Sequence, residues 1–474
     1  MEYFLASLPI LAVILLLFLR IPSLYVVSIA IVIALVLAFR FPISSELLAD
    51  AIPSTLELSL TLALIMFSGI ALANIQQTSG AQRDINTWLN RLVADPERAA
   101  LFYGMAMVPL IESLVGWGLG VIIGIPMLLG SGLPKLKAIQ ISLLGLMLCP
   151  WGSFAPSLYV ITEFTGHSQT AIGTSTALFN VPVVFVLSVV ILLVLSEKRP
   201  RVRLWIECLT AAFAMSLTLV VLNAFAPSLS GVVAALASTV VFILFARSER
   251  HEYDPPTSLA LRGLVPYAIV LVGLTLSTLL TAFIAPSAFS KLLVNPALWL
   301  TAAVAFAPLL MRVKRSEFGP TFASSVRAWG SAFSVTLLFV LFGMLLSLNG
   351  MGATLAQGIA ILGGAFAVLV PLSGFVAGFV TSSNTAAAAM LSGPLNIAAS
   401  GLGVDAVHAV GAQTAATGAA VMCSPARAEL ARQTANLLSP GGDQGITVMR
   451  ILLPAIIANG AILVIHAGMS AVLF

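Results

Sequence analysis

Two stretches of this sequence carry side chains whose types and placement could do chemistry. The first holds Glu112, inside VPLIESLVGWGLGVIIGIP, with no basic residue within ten positions on either side. The second is the run Ser382-Ser383-Asn384-Thr385, inside GFVAGFVTSSNTAAAAMLSGP, flanked by Gly374, Gly378, Ala386 to Ala389, Gly393 and Pro394. A lone carboxylate in apolar surroundings is a functional candidate, and the work it could do is proton exchange. Four polar groups in a row at membrane depth are costly unless the backbone there is broken and lines a cavity. Each stretch also has a plainer reading. Glu112 could be a structural carboxyl accepting backbone amides at a turn, and the hydroxyl-rich run could seal a helix–helix contact.

The elements that must position these residues follow from composition. Of 474 residues, 59% are hydrophobic and 8% charged, and the mean hydropathy is +1.08. A soluble domain carries roughly a quarter charged residues, so the chain reads as a polytopic, all-α membrane protein. The apolar runs have helical length rather than the alternation of barrel strands. They fall at about 3–19, 24–39, 55–77, 138–160, 171–195, 205–223, 229–246, 263–284, 295–311, 331–348, 405–422 and 446–471, about 12 transmembrane helices. Regions of about 99–131 and 355–400 are apolar but interrupted, and each reads as a re-entrant hairpin. The first run lacks a basic leader and reads as a retained span. A net charge of +4 gives no ground for nucleic-acid binding, and Cys149, Cys208 and Cys423 have no metal or disulfide spacing.

Basic clusters at Lys198 to Arg203, Arg247 to Arg262 and Arg312 to Arg327 recur every two spans, which places them on the cytoplasmic face. Both termini are then expected outside, and 78–98 as an amphipathic surface helix. Shifting the first half by about 270 residues superposes its spans and hairpin on those of the second, aligning Phe67-Ser68-Gly69 with Leu341-Phe342-Gly343, Pro126 with Pro394 and Pro156 with Pro425. The division is a first repeat at 1–200, connecting helices at 201–262 and a second repeat at 263–474. Seven crossings separate the two starts, so the repeats are inverted, a transporter signature with the site at the repeat interface. In this alignment Ile111-Glu112-Ser113 stands opposite Ser383-Asn384-Thr385. Each hairpin precedes an interrupted span, at Cys149-Pro150-Trp151-Gly152-Ser153-Phe154-Ala155-Pro156 and at Thr414 to Gly418 running on to Cys423-Ser424-Pro425. Breaks there free backbone groups, and exposed helix N-termini favour an anion. Arg427 is the nearest cation but reads as cytoplasmic. His408 and His466 lie within spans, where they could relay protons or simply pack.

The run from Leu346 to Ala399, the stretch GAQTAATGAAVMCSPARAELA with its Met422-Cys423-Ser424-Pro425 signature, and Glu112 to Pro126 resemble the lactate permease family. Trp117 stands where the family has Phe, Asn384 where lactate permeases have an acid, and Val421 where a lysine is common. The resemblance implies a proton symporter importing small 2-hydroxy monocarboxylates such as L-lactate or glycolate; the alternative is a sodium-coupled organic-anion transporter of the same superfamily. On that reading Glu112 couples the proton. Ser113, Ser383, Asn384 and Thr385 clamp the substrate, and Gly152, Ser153, Thr417 and Gly418 complete the pocket. A paired catalytic group is lacking, so no enzyme is expected. No cofactor is expected beyond the coupling ion, H+ or alternatively Na+. The expected partners are a small carboxylate and the bilayer of the inner (plasma) membrane, with a homodimer left open.

Overall fold

The computed structural model describes every residue except 20, 94, 197–199, 248–254, 282, 286, 361–362 and 439–445. Lys198, Arg199 and Arg250, within the basic clusters used above for orientation, lie outside the described residues. All regular structure among the described residues is helical. Among the described residues, ten helices are long and apolar enough to cross a membrane, and Glu2–Phe18, Ser23–Phe39, Leu119–Gly130 and Pro296–Leu310 are shorter apolar helices. Large apolar side chains such as Leu15, Phe213, Leu276 and Val464 remain exposed. That surface suits acyl chains rather than water.

The element order repeats. Glu2–Phe18, Ser23–Val36, Ser45–Ser79 and Ala81–Leu92 lead to the hairpin arms Pro96–Val115 and Leu119–Gly130. The interrupted pair Lys135–Phe154 and Pro156–Thr165 follows, then Gln169–Leu195. After the connecting helices Val202–Asn223 and Pro227–Arg247, the second half runs Ser258–Thr281, Pro296–Leu310, Arg315–Leu348 and Met351–Ala360. Its hairpin arms are Phe366–Thr381 and Asn384–Gly401, followed by Ala406–Val421, Pro425–Leu438 and Val448–Leu473. Packing between the halves is reciprocal. Ser45–Ser79 lies on Pro296–Leu310 while Arg315–Leu348 lies on Ser23–Val36, and each half-helix after a break packs on the return arm of the other half's hairpin.

Two long helices, Ser45–Ser79 and Arg315–Leu348, cross at the centre of this exchange. They begin well before the expected spans at 55 and 331, because polar starts such as the Ser44 cap on the Leu47 amide extend them past the apolar runs. Polar ties pin the crossing: Asn74 Nδ2 donates to Ser325 Oγ at 2.9 Å, and Trp329 Nε1 to the Ala63 carbonyl at 3.0 Å. The aligned glycines do the same job in both halves. A Cβ on Gly69 would lie 2.9 Å from the Val115 carbonyl, and one on Gly343 2.1 Å from the Ala389 carbonyl, so each long helix admits its own hairpin only through a bare backbone. The second hairpin is held likewise: Gly374 and Gly378, four apart, meet the Gln413 and Thr417 carbonyls of Ala406–Val421, a small-residue contact that brings helix backbones together.

Two boundaries differ from expectation. Met351–Ala360 is a separate helix, so the second hairpin starts at 366 rather than 355. Its counterpart is the amphipathic Ala81–Leu92, which does fall within 78–98. The second interrupted span is unbroken through Thr414 to Gly418 and breaks only at 422–424, because alanines and a backbone-bonded Thr417 keep the helix running to Val421.

Candidate functional site

The first hairpin turns at Gly116-Trp117-Gly118, three successive residues with φ of 76°, 60° and 81°. Left-handed backbone is inexpensive at the two glycines and strained at Trp117. Glu112, one turn earlier and 3% exposed, reaches across this turn. Its Oε1 accepts from the Gly118 amide at 3.0 Å and its Oε2 from the Gly120 amide at 3.1 Å. It thereby caps the return arm Leu119–Gly130, whose leading amides would otherwise be orphaned. The tip is thus five residues further on than the repeat alignment placed it, at 116–118 rather than 111–113, and the plainer reading of Glu112 as a brace at the turn describes its contacts.

The second hairpin turns at Ser382, with φ 56°, and Ser383. Ser383 Oγ accepts from the Ala386 amide at 3.2 Å and starts the return arm, so here the cap comes from the tip itself. Thr381 Oγ1 accepts from the Ser383 amide at 3.2 Å. The first interrupted span supplies a third irregular segment: Ser153, Phe154 and Ala155 all have φ between 52° and 64°, before Pro156 restarts the helix.

These three segments meet the start of Pro425–Leu438 around one small cavity. Glu112, Gly116, Trp117, Gly152 and Ser153 line it from the first half, and Ser382, Ser383, Asn384, Thr385 and Arg427 from the second. Cys149 and Pro156 complete the wall. Its free volume of about 30 Å³ admits about one water. Arg427 is the one cation among its lining residues, and it spans both tips: Nη1 donates to the Trp117 carbonyl at 2.7 Å and Nη2 to the Ser382 carbonyl at 3.1 Å. Asn384 Nδ2 donates to Ser157 Oγ at 3.1 Å, tying the second tip to the half-helix Pro156–Thr165, and the Ser382 and Ser424 hydroxyls are bonded to each other.

Six of the nine expected site residues therefore come together: Glu112, Gly152, Ser153, Ser383, Asn384 and Thr385. Three lie elsewhere. Ser113 is fully buried on the opposite face of its helix, its Oγ 3.0 Å from where a Cβ on Gly231 would stand. Thr417 donates to the Gly374 carbonyl at 3.0 Å, and Gly418 receives Pro150, so both serve the seam between Ala406–Val421 and its neighbours. Sequence reasoning passed over Trp117, Ser157, Ser424 and above all Arg427. The available signal was position: Arg427 is the third residue of a half-helix that begins with Pro425, one turn from a break, so its side chain can reach back to the tips. Neither His408 nor His466 lines the cavity. His466 Nε2 pairs with the Phe179 carbonyl at 2.7 Å, and His408 lies 3.0 Å from Asp405. Among the described residues no group of His, Cys, Asp and Glu could hold a metal ion.

A solved structure, that of the Alcanivorax borkumensis YdaH transporter, whose description notes an unusual topology, is similar to this chain with a TM-score of 0.50 at 12% identity. The match covers 90% of this chain and 89% of that one, a likeness of fold alone. No curated protein sequence matches. The L-lactate permease family profile matches residues 2–259 and 268–473, which takes in both hairpins, both interrupted spans and every residue of the cavity. The chain is an integral membrane protein that belongs to the L-lactate permease family.

Proposed function

We propose that the chain imports a small 2-hydroxy monocarboxylate, such as L-lactate or glycolate, by proton symport across the plasma membrane, with both termini outside. The observation that carries this reading is the pairing of one buried carboxyl, Glu112, with one guanidinium, Arg427, at a cavity where both hairpin tips meet. A proton arriving on Glu112 turns one accepting oxygen into a donor, which releases the Gly118 or the Gly120 amide and frees the first tip. A substrate carboxylate offers Arg427 a charged, bidentate partner in place of the Trp117 and Ser382 carbonyls. Each ligand thus replaces a bond that holds the tips closed, and the two together open a cavity that alone has room for one water. Coupling on this scheme is a population shift, set by how much better each ligand binds the parted tips.

A sodium-coupled carrier of the same architecture is the second reading, favoured by the oxygen-rich run Ser382 to Thr385 at the cavity wall. Purified protein in proteoliposomes separates the two. Labelled L-lactate should accumulate under an inward proton gradient and show counterflow, which a passive channel cannot. Accumulation that follows an imposed sodium gradient and ignores the proton gradient would replace symport with protons by symport with sodium.

A further inference from the structure

Four buried polar atoms on residues lining the cavity have no partner: Arg427 Nε, Trp117 Nε1, Ser153 Oγ and Asn384 Oδ1. Buried polar groups are nearly always paired, so an unpaired set around one cavity constrains the chemistry of a group that could bind there. Arg427 Nε–H and Trp117 Nε1–H can only donate, and Ser153 can donate as well. Asn384 Oδ1 can only accept. Which way the Asn384 amide points is settled by its neighbour. Ser157 has one hydroxyl proton and gives it to the Pro150 carbonyl at 2.9 Å, so toward Asn384 it can only accept; Nδ2 must face it, and Oδ1 is left over. Each Glu112 oxygen already accepts one backbone amide, from Gly118 and from Gly120, and the hydroxyls of Ser382, Ser383 and Thr385 on the wall can donate as well as accept. The unmet demand is therefore several donors seeking acceptors and one acceptor seeking a donor.

An unsubstituted carboxylate satisfies only the donors. A 2-keto acid brings a further acceptor where Asn384 already presents one. A 2-hydroxy carboxylate satisfies both sides. Resting on the reading that this cavity is the carboxylate site, we infer that Asn384 Oδ1 accepts the substrate's 2-hydroxyl proton while Arg427, Trp117 and Ser153 hold its carboxylate. Asn384 is then the residue that distinguishes a hydroxy acid from its keto and deoxy analogues. Sites built to bond a hydroxyl reject analogues lacking it, because their own polar group is left unpaired.

The test uses the full-length protein in proteoliposomes and compares half-saturation for L-lactate, propionate and pyruvate. The wild type should take L-lactate most tightly. Asn384→Ala also loses the tie to Ser157, which falls on every substrate alike; the diagnostic is the ratio, and the preference for L-lactate over propionate should drop about tenfold, the step expected from one buried hydrogen bond. A merely structural Asn384 would weaken all three substrates together and leave the ratio alone. That outcome overturns the assignment, as does a wild type that takes propionate as tightly as L-lactate, a comparison that needs no variant to fold. A wild type that transports no carboxylate under either gradient overturns the transport reading and this assignment with it.

Discussion

Glu112→Gln is the substitution that separates a coupling carboxyl from a structural one, and its cost can be worked from the two bonds Glu112 makes. In the wild type both oxygens accept backbone amides, at 3.0 and 3.1 Å. Glutamine keeps one accepting oxygen and turns an NH2 toward the other amide, so one bond weakens from charged to neutral and one buried N–H loses its partner. A bond to a charged group contributes about 1.5–3 kcal/mol, a neutral one about 1, and an unpaired buried donor costs about 1–3 kcal/mol; the variant should lose about 2–4 kcal/mol. The loss is local to the tip at 116–118. The base of the same arm is held separately by the buried Arg98–Glu207 ion pair. The variant should therefore fold, melt at a somewhat lower temperature, and lose proton-gradient-driven accumulation of L-lactate. Counterflow, which requires no net proton movement, should persist. If accumulation survives, Glu112 is not the coupling group. If counterflow disappears along with accumulation, it is only the brace that holds the turn.

Three further outcomes follow from the packing. A Cβ on Gly378 would stand 2.3 Å from the Thr417 carbonyl, so Gly378→Val forces backbone against backbone and should destabilise by at least about 1–3 kcal/mol, read as a lower melting temperature in detergent. Arg98→Met removes a two-pronged guanidinium from the fully buried Glu207, which Arg203 also contacts; a loss of about 3–5 kcal/mol is expected, partly recovered in Arg98→Met/Glu207→Leu. On the polar helix Pro425–Leu438, hydrogen bonds from Arg432 hold the Glu429 carboxyl below the ordinary glutamate range. A depressed folded value contributes stability above the ordinary one and loses it as pH falls through the folded one. Glu429→Gln should therefore flatten the acid limb of a melting-temperature profile below about pH 4.5 and leave pH 7 nearly unchanged, because a surface pair contributes little.

The membrane class, most spans, both hairpins and the repeat were legible because each rests on long apolar periodicity or on Pro and Gly at matched positions. Pro156 and Pro425 do each open a half-helix. What failed were readings finer than a helical turn. The alignment set Ile111 to Ser113 against the second tip, whereas the turn needs left-handed backbone and so lies at the glycines 116 and 118. Thr414 to Gly418 resembled a break because Thr and Gly are poor helix formers, but alanines on both sides and close packing against Gly374 and Gly378 override that propensity. Arg427 was not read as a lining residue because counting basic residues assigns a face of the membrane, not the direction of a side chain.

Near-symmetry explains why the missed residue is the one that matters. The two halves bring two similar tips together, but identical halves would line the cavity with identical groups, whereas the proposed coupling of an anion to a proton calls for unlike ones. The half-helices after the breaks carry the difference. Pro156-Ser157-Leu158 and Pro425-Ala426-Arg427 occupy the same first turn, and their side chains are exchanged in role: Ser157 orients Asn384 on the second tip, while Arg427 reaches the first tip at Trp117 and the second at Ser382. The hairpins differ in the same sense, one capped by a carboxyl drawn from its arm and the other by a serine at its tip. The departures from repetition place one carboxyl, one guanidinium and one amide on the wall of a cavity that both halves line.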